Sequence, residues 1–184
     1  FQASKLARQL SGICIGQTSL GAVAAELARR VHGELAQSAV LVVGAGQVGT
    51  DVARALTLRG AEDVSLCSRR IEKGRAVAYS IGARALDYGD WKAMLAHCDV
   101  AVFCTSSPDA ILGAGDVSAI MEKRRDRPLF ILDLAMPLNV ESAVAELPDV
   151  YLYTFADMAA MANENYEGRL GQVEKCREII AQRA

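Results

Sequence analysis

The stretch VLVVGAGQVG, Val40 to Gly49, constrains this chain more than any other. Four apolar, mostly β-branched residues in a row suit a strand buried on both faces of a parallel sheet. The G-x-G-x-x-G spacing that follows leads the chain out of that strand and into a helix. Gly44 permits the tight turn, Gly46 removes the side chain that would block a pyrophosphate, and Gly49 lets helix and strand pack closely. Backbone N–H groups of the new helix then face the phosphates, helped by the helix dipole. The competing reading is a glycine turn that serves packing alone. The strand before the motif and the helix after it favour a dinucleotide site.

The remainder of the chain repeats strand and helix at the spacing of a doubly wound α/β sheet. Residues 18–33 read as a helix that Thr18 or Ser19 caps and Gly33 ends. After VLVV, the sequence predicts a helix to Gly60, a strand at VSLC (64–67) and a helix at IEKGRAVAYSIG (71–82). Next come a short strand at ARAL, a helix over DWKAMLAHC, a strong strand at VAVFCT and a helix at DVSAIMEKRR. PLFILDL reads as a strand, VESAVAEL as a helix and VYLYT as a last short strand. From about Phe155 the strand signal stops. Met158, Met161, Leu170, Val173 and Ile180 form an imperfect stripe on a long helix that leaves the domain and needs a partner to cover it. The expected organisation is a helical lead-in over 1–36, a Rossmann-type nucleotide-binding domain over 37–155, and a C-terminal extending helix over 156–184.

The tip of the second strand selects the nucleotide. An NAD-binding sheet usually places Asp or Glu there, to accept hydrogen bonds from the ribose 2′-OH. In this chain the tip reads Cys67-Ser68-Arg69-Arg70, and the nearest acids, Glu62 and Asp63, precede the strand. A carboxylate would repel a 2′-phosphate, whereas Ser68 donates to one and Arg69 and Arg70 pair with it. The expected cofactor is NADPH, with Lys73 a weaker candidate contact. The loop after the fourth strand, Thr105-Ser106-Ser107-Pro108, falls at the carboxyl edge, where ligands of such sheets lie. Asp133 closes the fifth strand at the same edge, either as a functional carboxylate or as a cap of the following turn.

Composition narrows the class further. The net charge of -2 gives no basic field for nucleic acid. No apolar run approaches the ~18–20 residues that span a bilayer, and the first ten residues do not read as a signal peptide. Five dispersed cysteines without C-x-x-C pairs fit reduced thiols in the cytoplasm, not a disulfide frame or a zinc site. His32 and His97 read as packing or surface residues, and no metal-ligand pattern or paired carboxylate stands out. Cys104 and Cys67 read as small buried residues, and Cys14 has no base beside it. The result is a cofactor half without its chemistry half, and the opening Phe1 implies a piece of a longer protein.

Several of these stretches together resemble the glutamyl-tRNA reductase family in its NADPH-binding domain. They are ICIGQTSLGAVAAELAR, VLVVGAGQVG, CSRR, CTSSPDAI, the run RPLFILDLAMPLNVESAVAELPDVYLYTFADM, and NENYEGRLGQVEKCREII. The resemblance implies that a cysteine on an N-terminal domain absent from this chain attacks glutamyl-tRNA, and that NADPH reduces the thioester to glutamate-1-semialdehyde for tetrapyrrole synthesis. It assigns Gly44, Gly46, Gln47, Val48 and Gly49 to the phosphates and Ser68, Arg69 and Arg70 to the 2′-phosphate. It places Thr105, Ser106, Ser107 and Pro108 beside the adenosine or nicotinamide side. It makes the last segment the start of a helix that joins a homodimer, and it places the protein in the cytoplasm with glutamyl-tRNA as partner. One departure stands out: after Met136-Pro137 the family usually shows a basic residue, and here Leu138 occupies the place. The alternatives are the NADP-binding domain of a shikimate dehydrogenase-like oxidoreductase and a non-catalytic NADP-sensing module.

Overall fold

In the computed structural model, residues 20–124, 127–158 and 160 are described. Six parallel strands run β1 Ala39–Val43, β2 Asp63–Cys67, β3 Arg84–Leu86, β4 Val100–Phe103, β5 Leu129–Asp133 and β6 Val150–Thr154. Among the described residues, helix α1 Leu20–His32 precedes β1, and α2 Gln47–Leu58, α3 Ile71–Ile81, α4 Trp91–Met94 and α5 Ala114–Met121 connect β1 through β5. The strand order is β3-β2-β1-β4-β5-β6. This is the doubly wound Rossmann arrangement expected from the sequence, with its reversal of direction between β1 and β4.

Alternation along β1 distributes its side chains between two cores. Val40 and Val42 join the layer under α1, α2 and α3, with Val52, Leu56, Phe130 and Leu132. Leu41 and Val43 join the opposite layer, with Trp91, Phe103, Leu129 and Ile131. Successive residues of a strand point to opposite faces, so a strand covered on both sides must be apolar throughout. Each fully buried Leu, Ile or Phe here contributes on the order of 1.5–3 kcal/mol. Helix α1 lies close on α2 because Gly21 faces the Asp51 carbonyl: a Cβ at position 21 would stand 2.6 Å from that oxygen.

Two connections differ from the sequence expectation. VESAVAEL forms a 3-10 helix, Ser142–Glu146, in place of an α-helix. The following Pro148 disfavours helical backbone at Leu147, which is extended with φ -79 and ψ 141. DWKAMLAHC keeps a single α turn, Trp91–Met94. The carbonyls of Leu95 and Cys98 turn instead toward Arg124, whose Nη1 donates to them at 2.6 and 2.5 Å. Arg124 is buried, and it also donates to Pro128 O at 2.6 Å, so one guanidinium gathers three segments at the amino edge of the sheet. The long C-terminal helix and the capping residues Thr18 and Ser19 lie outside the described residues. Among the described residues, no helix is long and apolar enough to cross a membrane.

Candidate nucleotide-binding site

Register determines what meets at the carboxyl edge. Val43 lies level with Cys67 of β2 and with Phe103 of β4, and Phe103 lies level with Asp133 of β5. Gly44, Ser68, Cys104 and Leu134 therefore leave the sheet side by side, and a cleft of about 260 Å³ opens between their loops. The crevice sits at the switch in strand order, where ligands of this fold bind.

The three glycines of the first loop do different things. Gly44 has φ +122, and a Cβ on it would meet the Cys104 carbonyl oxygen at 2.6 Å. A Cβ on Gly49 would stand 2.0 Å from Gly44 O and 2.7 Å from Cys104 Sγ. These two positions hold turn, helix and β4 in contact. Gly46 is extended, with φ -77 and ψ -177, and a Cβ there would meet nothing within 4 Å. Above Gly46 is open space at the start of α2, whose N-cap residue supplies no side chain to its first N–H groups. Those groups and the helix dipole attract an anion.

The cleft brings together Gly44, Gly46 and Val48 from the first loop, Ser68, Arg69 and Arg70 from the second, and Thr105 and Ser106 from the third. Lys73, on the first turn of α3, lines it as well. Four of the residues singled out from sequence stand off the lining. Gly49 lies beneath the turn, in the packing just described. Gln47 directs its side-chain Nε2 to Asp51 at 2.9–3.0 Å, so its backbone is what remains for a ligand. Ser107 donates its N–H to Thr105 Oγ1 at 3.1 Å, and Pro108 is exposed beyond the rim.

Charge around the cleft is one-sided. Three cationic side chains line it and no carboxylate does. Among the described residues, Arg69, Arg70 and Lys73 form no ion pair, and Asp63, at the start of the second strand, pairs with Arg84 at 2.8 Å. Ser68 Oγ accepts from Arg70 N at 3.3 Å, which sets the turn into α3. A cluster of cations around a serine suits a phosphate dianion on a ribose, and no carboxylate lines the cleft to take a 2′-OH in the manner of an NAD site.

Asp133 settles as a cap. Its Oδ2 accepts from the N–H groups of Asn139 and Val140, each at 2.7 Å, and its Oδ1 accepts from Ala135 N at 3.1 Å. Burial pushes its carboxyl up from the ordinary value, against those three donors. The thiols of Cys67, Cys98 and Cys104 are each pushed up to about 12 by burial. None is a thiolate near neutral pH, so none of the three is a nucleophile. His97 is exposed and His32 packs edge-on against Phe130, with ring centroids 6.0 Å apart. Among the described residues no group of metal-ligating side chains gathers. Sequence reasoning missed Tyr88, which also lines the cleft; Ala135 and Met136 line it too, from the loop after β5 that the sequence placed at this edge without singling them out. The signal for Tyr88 was its place just past β3, as for Ala135 and Met136 it was their place just past β5.

Strand order, glycine turn and anion-facing cleft together define a Rossmann-type dinucleotide-binding domain. A sequence model of the shikimate / quinate 5-dehydrogenase family matches residues 26–161, and the chain belongs to that family. Individual relatives are more specific. The chain is 35% identical over 98% of its length to the glutamyl-tRNA reductase of Pseudomonas putida strain W619, of which it covers 43%. It matches the solved glutamyl-tRNA reductase of Methanopyrus kandleri with TM-score 0.81 and 36% identity, over 97% of this chain and 45% of that one. The solved nucleotide-binding domain of the Thermoplasma volcanium glutamyl-tRNA reductase, at 21% identity and TM-score 0.64, shares the fold over 84% of this chain and 98% of that chain. The chain thus spans about half the length of these two glutamyl-tRNA reductases from Pseudomonas putida and Methanopyrus kandleri. The resemblance read from the sequence is borne out, and the shikimate dehydrogenase-like alternative is a more distant relation.

Proposed function

We propose that this chain is the NADPH-holding domain, residues 37–155, of a glutamyl-tRNA reductase. The single observation that carries the cofactor choice is the cleft lined by Arg69, Arg70 and Lys73 and by no carboxylate. Gly44, Gly46 and the N–H groups of Gln47, Val48 and Gly49 hold the pyrophosphate; Ser68, Arg69 and Arg70 hold the 2′-phosphate. Thr105 and Ser106 border the cleft, with Ser107 and Pro108 behind them in the same loop, on the adenosine or nicotinamide side; the nicotinamide when bound supplies the hydride. The substrate is glutamate carried on its tRNA and bound as an enzyme thioester, the product is glutamate-1-semialdehyde, and the product enters tetrapyrrole synthesis. The thioester cysteine belongs to an N-terminal domain of the intact protein that this chain does not include, and none of the five cysteines here takes that role; burial also disfavours the thiolate at Cys67, Cys98 and Cys104. The intact protein works as a homodimer in the cytoplasm; the segment that would join the two copies lies outside the described residues.

The test titrates the chain with NADPH and NADH, then repeats both with Arg69→Ala and Arg70→Ala. Losing one charge-assisted contact of about 1.5–3 kcal/mol weakens NADPH by roughly ten- to a hundredfold and leaves NADH nearly unchanged. Equal affinity for the two nucleotides, unmoved by either substitution, refutes the phosphate assignment. Semialdehyde formation from glutamyl-tRNA by the full-length protein tests the reaction itself.

A further inference from the structure

The loops after β4 and β5 wall the same side of the cleft, and one side chain joins them. Asn139 is fully buried. Its Oδ1 accepts from Thr105 N at 3.1 Å and from Thr105 Oγ1 at 2.8 Å. The backbone N–H only donates, so the atom facing it is the carbonyl oxygen of the amide. Thr105 Oγ1 accepts in turn from Ser107 N at 3.1 Å. Asn139 also takes the far end of the same loop: its backbone oxygen accepts from Ile111 N at 2.7 Å and from Leu112 N at 3.1 Å. Its own N–H is held by Asp133. Asn139 thus grips the β4 loop at both ends and is itself gripped by the end of β5.

A second observation sets this residue apart from ordinary packing. Asn139 Nδ2 is buried and has no hydrogen-bond partner. An unpaired buried donor carries a desolvation penalty that an apolar side chain would not incur. An aspartate would accept the same two bonds without the orphaned donor, but would bring a second carboxylate near Asp133. The amide is the group that accepts from Thr105 and carries no charge.

The geometry points to Asn139 as a positioning residue for nucleotide binding, holding Thr105 and Ser106 at their distance from the Gly44–Gly46 turn. The inference rests on reading the cleft as an NADPH site. In a doubly wound sheet the adenosine ribose meets the tip of β2, so the β4 and β5 loops border the other half of the dinucleotide. Loosening Thr105 then weakens the whole dinucleotide and spares its adenosine half.

The test titrates the wild-type chain, Asn139→Ala, Thr105→Val and Thr105→Ser with NADPH and with adenosine 2′,5′-bisphosphate. Asn139→Ala and Thr105→Val are expected to weaken NADPH about tenfold and the bisphosphate less than twofold, while Thr105→Ser, which keeps the hydroxyl, stays within about twofold of wild type for both. Parallel loss of both ligands, loss of neither, or equal damage from Ser and Val overturns the positioning role. If Asn139→Ala does not fold, the Thr105 pair decides by the same criteria. A wild-type chain that binds neither ligand overturns the NADPH reading, and the inference with it.

Discussion

Gly46→Ala separates binding from folding. The new Cβ meets nothing within 4 Å, and the backbone at Gly46 is extended, where alanine is at ease. Replacing glycine at a compatible position reduces the freedom of the unfolded chain, so the variant should be unchanged or more stable by about 0.4–1 kcal/mol. The same methyl stands where a pyrophosphate would approach the start of α2. Two charge-assisted backbone hydrogen bonds of about 1.5–3 kcal/mol each depend on that approach. Losing even their lower sum, about 3 kcal/mol, weakens NADPH by roughly a hundredfold. Gly49→Ala is the contrasting variant. Its Cβ would lie 2.0 Å from Gly44 O, against backbone that cannot rotate away. Overpacking of this kind costs about 1–3 kcal/mol or more, so this variant loses stability along with binding. Calorimetric titration with NADPH and thermal unfolding, run on both proteins, read the two effects separately. A Gly46→Ala protein that melts like wild type and binds NADPH equally well would refute the idea that the diphosphate rests on this turn.

Two further outcomes concern stability. Arg124→Met leaves the inward carbonyls of Leu95, Cys98 and Pro128 without their donor, and urea unfolding should show a loss of about 3 kcal/mol or more. His32 titrates the fold in a defined window. Burial lowers its folded value below the ordinary 6.5, Asp99 pulls it back up and Arg124 adds to the lowering. The unfolded chain therefore takes up the proton first, and stability falls as pH drops below about 6.5, with no effect of this group at higher pH. Comparing urea midpoints at pH 7.5 and 5.5 should show that fall in the wild type and a smaller one in His32→Leu.

Much of this architecture is local and so visible in the chain. The run Val40 to Val43 has to be buried on both sides, and glycines at 44, 46 and 49 belong to one kind of turn, so β1, α2 and the phosphate-facing loop follow from ten residues. Ser68, Arg69 and Arg70 were legible for the same reason: they sit at a strand tip with no acid beside them. Other parts depend on partners far along the chain. Arg124 reaches carbonyls 29 and 26 positions away, and no pattern around it distinguishes it from the exposed arginines. VESAVAEL has a helical composition, yet Pro148 and its short span leave it a 3-10 turn.

The sequence by itself determined that a parallel sheet forms, that a glycine turn follows its first strand, and that the second strand ends in cations. Periodicity and turn chemistry act over a few residues, which is why they can be read there. Only the tertiary structure decided that Asp133 serves as a cap, that Gly49 packs under the turn, and that Asn139 ties Thr105 across 34 positions. The physical reason is strand register. Which loop ends lie level at the carboxyl edge depends on how four strands pair, and only that pairing brings Asn139 and Thr105 within hydrogen-bond reach.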